Sequence, residues 1–488
     1  MLIKVNRKPE KFLPNFKRVI LRPLVYNDDR SRLIIRKVLE ETEADVIKFL
    51  EMTLRDFSRR HRSITRAFLA NFEKITHLLS EFNTSSDQLT QERKLLLGSY
   101  FSMEYSIESA AFFNPSIVES PDQGGLEPGA RRIILSFRAI GEGHISSIVF
   151  RQGIIDANCN FNFETESFFV RDAEIIRHHM YEKEKFIQIL RKRKIPENII
   201  DASTAALGET FIYRQLETAV ENFSKNIPAD GEEHRHLLLV LWSADVYHEI
   251  NFSYDTNISE RVIFPVTSAE SNGIEDARFV RFTDDDGAVI FYATYTAYNG
   301  REISPKILET KDFYHFTFKP LYGAGARNKN LALFPRKING KYVMLSRIDG
   351  FSNYIMFSDE LNIWEKPIPL LEPKFSWEFV QIGNCGSPLE TEHGWLVITH
   401  GVGPVRKYSL GATLLDLNDP TRVIGRLSEP LLSPNEEERE GYVPNVLYTC
   451  GSILHNGSLV LPYGESDSRT GFVTVDLKEL LDKIRNGN

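Results

Sequence analysis

The spacing of apolar residues predicts a helical N-terminal region. From residue 31 to 112, apolar positions recur every three or four residues, which is the period of amphipathic helices. Separate patterns cover Ile64 to Leu79 and the stretch after Ser85, a residue type suited to a helix N-cap. Asn114-Pro115 should end the last of these helices, because the residue before a proline avoids helical backbone angles. Residues 1–115 are therefore predicted to form a helical region.

Beyond residue 115 the pattern changes to short apolar runs separated by turns. Ile133 to Phe137 predicts a first strand, and a helical insertion is predicted at about 172–225. From residue 236 to 475, apolar runs alternate with Asn-Gly and His-Gly turn signals, a pattern typical of an all-β region. A closing helix is predicted from Leu477 to Ile484.

Several segments of the all-β region follow one plan, in which an apolar strand ends near a polar residue. Four of them lie about 50 to 65 residues apart, and Ile133–Phe137 provides a fifth copy. This spacing predicts a five-bladed β-propeller over residues 116–476, followed by a C-terminal helix at 477–488. The expected fold is thus mainly β with helical additions, a propeller preceded by an α-helical region. The four segments are Ala288–Ala293, Lys341–Ser346, Trp395–His400 and Ser458–Tyr463.

Charge and cysteine content narrow the classes of function. The 59 basic and 67 acidic residues give a net charge of −8, which argues against nucleic acid as the main ligand. Three widely spaced cysteines without a CxxC pair indicate a reducing compartment with no disulfide framework or zinc site. The N-terminus lacks the apolar core of a signal peptide, and no segment has the composition of a bilayer span. No membrane association and a cytoplasmic location are expected.

Polar residues follow the predicted strands, and the most informative stretch is Gly273-Ile274-Glu275-Asp276-Ala277-Arg278. It places two acids and an arginine where a loop enters a strand. Burial would raise the pKa of such an acid while the arginine would hold it ionised, which is how a general acid for glycoside cleavage is built. Cations gathered at strand ends would bind an anion such as phosphate. The other strand-end candidates are Arg138, Lys329, Arg347, His400, Tyr408 and Asp467.

Each candidate also has a simpler interpretation. The Gly273–Arg278 stretch is compatible with an exposed turn that carries a local ion pair. Arg138 is compatible with an exposed strand edge, Lys329 with a polar loop, and His400 with a buried histidine bonded to the backbone. The residues alone leave both interpretations open.

An ordered series of motifs resembles glycoside hydrolase family 130, the family of β-mannoside phosphorylases and related β-mannosidases. That family is built on a five-bladed propeller, and the resemblance covers roughly residues 130–476. The motifs are Gly273–Arg278, Leu333–Pro335 with Gly340–Arg347, Gly394–Gly401, Tyr408–Leu417 with Asp419-Pro420, and Gly441–Val446 before Cys450-Gly451.

The resemblance implies a role for the matching residues. Asp276 would be the single general acid, which protonates the leaving oxygen through the mannosyl 3-hydroxyl. Substrate contacts are expected from ten positions in all, counting that acid. Inorganic phosphate would be bound by Lys329, Arg347, His400 and Tyr408, the mannosyl unit by Arg138 and Asp467, and further substrate contacts would come from Ser147, Glu275 and Arg278.

Two positions depart from the family pattern. Ala277 stands where the family usually has proline, and Asn328-Lys329-Asn330 replaces an acidic-lysine-acidic type of loop. The second departure bears on the local phosphate geometry. The helical segments before residue 113 and at 172–225 lie outside the common core, and we expect them to shape the acceptor side or to form a homo-oligomer interface.

The predicted activity is inverting phosphorolysis of β-mannosides, or the reverse synthesis, with α-mannose 1-phosphate as the product. Inverting hydrolysis needs an acid and a separate base about 6.5–9.5 Å apart. Phosphate is already an anionic nucleophile, so it needs only cations to position it. Neither a metal nor a cofactor is expected, with phosphate acting as a co-substrate. Two alternatives stay open: a β-mannosidase with Glu275, Glu142 or Glu465 as base, and a non-catalytic carbohydrate-binding propeller.

Overall fold

The computed structural model describes residues 3–176, 180–224, 227, 232–245 and 247–486. Strands dominate these residues, and helices are grouped before residue 101, between residues 183 and 245, and at the C-terminal end. The prediction of a mainly β fold with helical additions is confirmed. None of the helices in the described ranges is long and apolar enough to cross a membrane.

The N-terminal helices begin where side chains can cap them. Asn27, Thr42 and Thr90 each accept a hydrogen bond from a backbone amide of the first turn, which satisfies a donor that the helix leaves unpaired. The helices bury a shared apolar core around Ile35 and Leu97. The elements are β1 (Val5–Arg7), β2 (Val19–Pro23), α1 (Asp28–Glu40), α2 (Glu43–Phe57), α3 (Ile64–Glu73), α4 (Gln91–Tyr100) and β3 (Ser102–Ser106).

The helical prediction fails at the end of this region. The last helix ends at Tyr100, and strands follow where the sequence predicted helix up to residue 112. Asn114-Pro115 lies inside a strand, because a bulge between Phe113 and Ser116 removes the need for a ladder hydrogen bond from the proline. Ser85 caps a short 3-10 turn, and Thr90 is the N-cap of α4.

The first antiparallel group of strands carries the helical insertion. Its helices begin at Lys183, and a fourth helix occupies part of the region in which the sequence predicted strands from residue 236. Position 225 of the predicted insertion lies outside the described residues. The elements are β4 (Ala111–Glu119), β5 (Arg131–Ile140), β6 (Ser146–Ile155), β7 (Phe161–Phe163), β8 (Arg171–Asp172), β9 (Glu174–Ile176), β10 (Met180–Glu182), α5 (Lys183–Lys192), α6 (Glu197–Thr204), β11 (Thr210–Ile212), α7 (Tyr213–Ser224) and α8 (Glu232–Asp245).

Four further groups of mostly antiparallel strands follow in chain order, and the first of these continues the sheet of the preceding group. The second contains β12 (His248–Asn251), β13 (Arg261–Ile263), β14 (Gly273–Thr283), β15 (Val289–Tyr298), β16 (Ile303–Thr310) and β17 (His315–Pro320). The third contains β18 (Lys329–Leu333), β19 (Tyr342–Arg347), β20 (Asn353–Ser358) and β21 (Ile368–Leu371). The fourth contains β22 (Gln381–Asn384), β23 (Leu389–Thr391), β24 (Gly394–Val402), β25 (Tyr408–Leu415) and β26 (Val423–Arg426). The last contains β27 (Leu447–Tyr448), β28 (Ile453–His455), β29 (Ser458–Glu465) and β30 (Arg469–Asp476), followed by α9 (Leu477–Asn486).

Each group packs its inner residues against the next one. The first two groups share one sheet through pairing of β13 with β6, and they bury Phe150 against Phe279. The fourth and fifth groups share a core to which α9 contributes Leu480 and Ile484. That helix confirms the closing helix predicted from Leu477. The strand ends of successive groups are thereby held close together, and the candidate residues lie at these ends.

Candidate active site

Two β-bulges bring the predicted acid and an unpredicted amide together. The pairing of β14 with β15 shifts register between Glu275 and Arg278, and Asp276 within this bulge has a φ of 54°. Asn114, in the bulge of β4, has a φ of 48°. Its Nδ2 donates a hydrogen bond of 2.7 Å to Oδ1 of Asp276. Left-handed backbone is tolerated by Asn and Asp, so both bulges turn a polar side chain out of the ladder.

Glu275 is held between two cations. Its Oε1 accepts a 2.7 Å hydrogen bond from Arg138, and its Oε2 accepts a 2.5 Å hydrogen bond from Lys329. The residue is 7% exposed. Both carboxylate oxygens are therefore engaged in charge-assisted bonds, which join the first, second and third groups of strands.

The same cations set the protonation of Asp276. Burial raises the pKa of its carboxyl, but the charges of Arg138, Arg278 and Lys329 outweigh burial and hold the pKa below its ordinary value. Oδ1 lies 3.6 Å from Arg138, and Oδ2 lies 3.8 Å from Arg278. With these neighbours, the ionised carboxylate is the favoured form of Asp276.

Arg278 donates three hydrogen bonds to other protein groups, one of which is the backbone carbonyl of Asp276. Its Nε donates to the Cys385 carbonyl at 2.6 Å, and one terminal nitrogen donates to the Asp276 carbonyl at 3.0 Å. The other donates to the Tyr448 hydroxyl at 2.8 Å. The residue is 2% exposed. The sequence predicted a substrate contact for Arg278, and in the structure its side chain donates to the protein around the Asp276 bulge.

A second cluster contains the four residues predicted to bind phosphate. Arg347 pairs with Lys329 across β18 and β19, and one terminal nitrogen lies 3.4 Å from Nε2 of His400. The ring of His400 stacks on Tyr408 at 5.9 Å with a 7° interplanar angle. The Nε2 atom of His400 and the Tyr408 hydroxyl also lie 3.4 and 3.5 Å from Nε2 of Gln381. These contacts place Arg347, His400 and Tyr408 in one patch.

Arg347 is a buried cation whose charge has no direct counter-ion. It is 9% exposed, and its Nε has no hydrogen-bond partner among the described residues. Within the ranges that the structure describes, no carboxylate lies within salt-bridge distance of its guanidinium. Burial lowers its pKa, although arginine stays charged under ordinary conditions. A buried, unpaired guanidinium is a strong site for an anion.

His400 contributes hydrogen bonding and no charge. Burial lowers its pKa far below the ordinary value, and the charges of Arg347 and Arg278 add to this effect. The ring is therefore neutral near pH 7. Its Nδ1 lies 3.8 Å from Sγ of Cys385. The positive charge of the patch thus comes from Arg347 and Lys329.

Tyr448 joins the two clusters and was missed by sequence reasoning. Its hydroxyl accepts hydrogen bonds from Arg278 at 2.8 Å and from Asn330 at 2.6 Å. Its ring meets the ring of His400 at 4.9 Å and 62°. Burial raises its pKa, so the hydroxyl stays protonated. Its position two residues before Cys450, within the last family-like motif, was the available signal.

The charges of the first cluster act on Asp467, whereas Ser147 faces away from that cluster. Burial raises the pKa of Asp467 to about 6, with Arg138 opposing this rise and Asp276 adding to it. The register pairs Ser147 with Ala139 and Arg138 with Ile148. Successive side chains of a strand point to opposite faces, so Ser147 faces away from Arg138. Its buried hydroxyl finds no hydrogen-bond partner in the part of the chain that the structure describes.

The part of the chain that the structure describes contains no candidate metal site. There, no group of three or more His, Cys, Asp or Glu side chains is arranged to hold a metal ion. The absence of a metal and of a cofactor stays a prediction from the sequence.

Known proteins resemble this chain, and a family model matches its C-terminal half. The model of glycoside hydrolase family 130, described as beta-1,4-mannooligosaccharide phosphorylase, matches residues 231–486, just over half of the chain. The 1,2-beta-oligomannan phosphorylase of Thermoanaerobacter sp. (strain X514) is 36% identical over 236 residues, which are 47% of this chain and 76% of that protein. The beta-1,2-mannobiose phosphorylase of Listeria innocua serovar 6a is 30% identical over 229 residues, 46% of this chain and 63% of that protein.

A solved structure of beta-1,2-mannobiose phosphorylase from Listeria innocua, in complex with beta-1,2-mannobiose, aligns with a TM-score of 0.47 and 21% identity. The alignment covers 78% of this chain and 93% of that chain. The segment matched by the family model contains all of the predicted site residues except Arg138 and Ser147.

Proposed function

Since the chain belongs to glycoside hydrolase family 130, we propose that it is an inverting β-mannoside phosphorylase. Inorganic phosphate attacks the anomeric carbon of the terminal β-mannosyl unit, and the bond to the leaving oxygen breaks. The leaving oxygen takes up a proton, and the products are α-mannose 1-phosphate and a shortened acceptor. The reverse reaction uses the same site. Family 130 relatives named as mannoside phosphorylases support this assignment.

The observation that carries the proposal is the unpaired guanidinium of Arg347 beside Lys329. Phosphate carries two negative charges near neutral pH, and buried cations hold such a nucleophile while offsetting its repulsion from the substrate. Neutral His400 and the Tyr408 hydroxyl supply hydrogen bonds without neutralising those cations. No separate base is needed, because the nucleophile is already an anion.

The lowered pKa of Asp276 fits an acid that becomes protonated when its co-substrate, phosphate, is bound. A phosphate dianion beside Lys329 and Arg347 would offset the cations that stabilise the Asp276 carboxylate, so the pKa of Asp276 would rise. The acid would then hold a proton when phosphate and mannoside are both bound. We propose that it delivers this proton through the mannosyl 3-hydroxyl, with Arg138 and Asp467 holding the mannosyl unit.

The structure offers little support for the hydrolytic alternative. Both oxygens of Glu275 are engaged by Arg138 and Lys329. Glu465 is buried against Arg469 at 2.6 Å. Glu142 is an exposed residue of a loop. A base that activates water must be free to accept a proton, and the two buried candidates are instead paired with cations.

We also propose that the five groups of strands form the five-bladed propeller over about residues 116–476, with the helical region 1–115 before it and 477–488 after it. The last group reaches back to the first, which supports a closed ring. Phe112 donates its amide to the Ser468 carbonyl at 2.9 Å, and the Thr470 hydroxyl donates to the Phe112 carbonyl at 3.0 Å. The first strand of the proposed ring, β4, begins at Ala111.

A reducing compartment is part of the proposal. Cys159, Cys385 and Cys450 are all free and buried, which supports the cytoplasmic location expected from the sequence. The helical segments are proposed to shape the acceptor side or to form an oligomer interface.

The decisive experiment measures the dependence of cleavage on phosphate. The protein is incubated with β-1,2- and β-1,4-mannooligosaccharides, with and without phosphate, and products are separated by chromatography. We expect α-mannose 1-phosphate only when phosphate is present. Equal release of free mannose in both buffers would establish a hydrolase, and sugar binding without any product would establish a binding protein.

Two variants assign the roles within the site. Asp276→Asn should abolish turnover in both directions while mannoside binding persists. Arg347→Ala should raise the KM for phosphate by about tenfold or more, because a buried charge-assisted bond is lost. Arg281→Ala is the matched control, since Arg281 is an exposed arginine on the same strand as Asp276. An unchanged KM for phosphate in Arg347→Ala would contradict the assignment.

A further inference from the structure

A cavity of about 610 Å³ lies outside the candidate active site. Helix α3 and strand β2 of the N-terminal region form one side. The other side comes from residues 170–175 and 251–254, which belong to the first two groups of strands. The cavity therefore joins the N-terminal helices to the β region, and its volume suits a small organic ligand.

Cations dominate the polar lining of this cavity. Two lining carboxylates, Asp172 and Glu174, face a larger set of basic side chains. The chain as a whole has a net charge of −8, so a local excess of positive charge is not expected from its composition. The five cationic lining residues are Arg22, Arg62, Arg66, Lys74 and Arg171.

Three of the five cations already have partners. Arg62 lies 2.8 Å from Glu260, Arg66 lies 3.6 Å from Glu174, and Arg171 lies 3.8 Å from Asp255. The first of these is a close ion pair, and the other two are loose. Their donors are therefore only partly used.

Arg22 and Lys74 are different. Among the residues for which the structure gives positions, no carboxylate lies within salt-bridge distance of either side chain. The guanidinium of Arg22 rests on the ring of Phe264, 4.0 Å from its centroid, and this contact orients it. Burial, with repulsion from Arg22, lowers the pKa of Lys74. Arg22 and exposed Lys74 thus both line the cavity, and Asp172 is the acid whose charge acts on both of them.

The rest of the cavity lining offers room and polar groups for an uncharged polar part of a ligand. Helix α3 turns one face to the cavity, on which small residues Ala67 and Ala70 separate Arg66 from Lys74. Residues three or four apart share a helix face, so the alanines leave room between the two charges. Asn251 and Ser253 add polar groups, and exposed Tyr254 adds an aromatic surface.

We propose that this cavity binds a small phosphorylated sugar, with its phosphoryl group between Arg22 and Lys74. A phosphoryl group carries about two charges and three strong acceptor oxygens, which match a guanidinium and an ammonium that make no salt bridge to any described carboxylate. The sugar lies over the alanines of α3 and meets the polar groups and Tyr254. The site is separate from the Arg347 patch, and it does not depend on the proposed phosphorolysis.

Asp172 gives the proposal a test that loss of folding cannot imitate. Burial raises the pKa of Asp172, and the charges of Arg22, Arg171 and Arg66 oppose that rise. When it is ionised, its carboxylate competes with an anionic ligand for these cations. Asp172→Asn should therefore tighten binding severalfold. A variant that is merely destabilised would bind more weakly.

The experiment is calorimetric titration of the full chain with a hexose 6-phosphate, which is not the product of the proposed reaction. Arg22→Ala with Lys74→Ala should weaken binding by about tenfold or more, and it should leave phosphorolysis unchanged. Arg36→Ala with Lys48→Ala removes two exposed cations of α1 and α2 and should change neither quantity. Arg347→Ala should also leave this binding unchanged.

Several results would overturn the proposal. They are absence of hexose 6-phosphate binding, equal affinity in the Arg22 and Lys74 variant, and weaker binding by Asp172→Asn. Binding that is lost in Arg347→Ala would assign the ligand to the active site instead. Binding of inorganic phosphate with no added affinity from the sugar would overturn the assignment of a sugar ligand.

Discussion

At the residue scale, the candidate site depends on side chains held by unusual backbone. Asp276 and Asn114 both adopt positive φ, 54° and 48°, which costs about 1 kcal/mol or more for residues other than glycine. Their mutual hydrogen bond and the bond from Arg278 to the Asp276 carbonyl offset this cost. The Asp276 carboxylate is therefore kept in one orientation before any substrate arrives, as its proposed role as general acid requires.

A prediction at the residue scale concerns Gly383, which lies beside the patch of Arg347, His400 and Tyr408. A Cβ at this position would meet Cε1 of His400 at 2.7 Å and Cδ of Arg347 at 3.4 Å. Gly383→Ala should displace the imidazole and raise the KM for phosphate severalfold, with a smaller effect on mannoside binding. Initial-rate kinetics with each substrate varied in turn measure this difference. Gly124→Ala is the matched control, because Gly124 lies in an exposed loop and has an ordinary backbone conformation. Gly287 is unsuitable as a control, because its φ is positive.

Asp467 gives a prediction for pH dependence. Burial raises its pKa to about 6, so it is ionised above that pH and protonated below it. If the carboxylate accepts hydrogen bonds from mannosyl hydroxyls, mannoside affinity should fall as the pH drops from about 7 to about 5. Calorimetry without phosphate avoids the titration of phosphate itself. Asp467→Asn should bind with little change over this range, and an identical pH profile in that variant would contradict the role.

At the element scale, a buried network of ion pairs connects the start of β2, in the N-terminal region, to β6. Glu108 is fully buried and lies 2.7 Å from Arg18, which precedes β2, and 3.0 Å from Arg151 in β6. Arg151 also pairs with Glu166 at 2.7 Å. Such a network couples elements because removing one member leaves the others buried without compensation. The N-terminal segment is therefore anchored to the first group of strands by charge as well as by packing.

Glu108→Gln tests this anchor. The substitution keeps the shape but leaves two buried guanidinium groups short of one negative charge, so we expect a loss of about 3–5 kcal/mol of unfolding free energy. Urea unfolding followed by fluorescence measures it. Glu81→Gln removes the exposed partner of Arg32 and should cost less than about 1 kcal/mol. Equal effects of the two substitutions would show that the buried network does not stabilise the fold.

At the scale of the whole molecule, the two ends of the chain meet. Strand β1 pairs with β30 from Val5 opposite Val475 to Arg7 opposite Val473. Arg7 also binds both carboxylate oxygens of Glu438, at 2.7 and 2.9 Å. Without β1, β30 would be an exposed edge of its sheet. The N-terminal strand β1 thus completes the sheet of the last group of strands.

Deletion of residues 3–8 tests this closure. We expect a lower melting temperature and more self-association, because β30 then presents unpaired backbone groups. Differential scanning calorimetry and size-exclusion chromatography measure the two effects. Lys4→Ala, which alters one residue of the segment without removing the strand, should leave both unchanged. A deletion that melts like the intact protein would show that β1 is dispensable for closure.

Much of the architecture follows from local sequence patterns, and the failures have identifiable causes. The three- and four-residue spacing predicts α1 to α3, and Leu477 correctly begins the last helix. Strands were predicted from residue 236, but residues 236–245 belong to α8, because a short apolar run does not distinguish a buried strand from a buried helix. Asn114-Pro115 was predicted to end a helix, since a bulge cannot be recognised from a dipeptide.

The sequence by itself determined which chemical groups are available, and it ordered them in motifs that identify the family. Only the tertiary structure decided how they are oriented and combined. Asn114 reaches Asp276 across 162 residues of chain, and Tyr448 reaches Arg278 across 170. Strand register turns Ser147 away from Arg138, and packing directs the donors of Arg278 to the protein. The physical reason is that residue type and local period are properties of neighbouring positions, whereas burial, charge pairing and the facing of strand ends arise from contacts between distant ones.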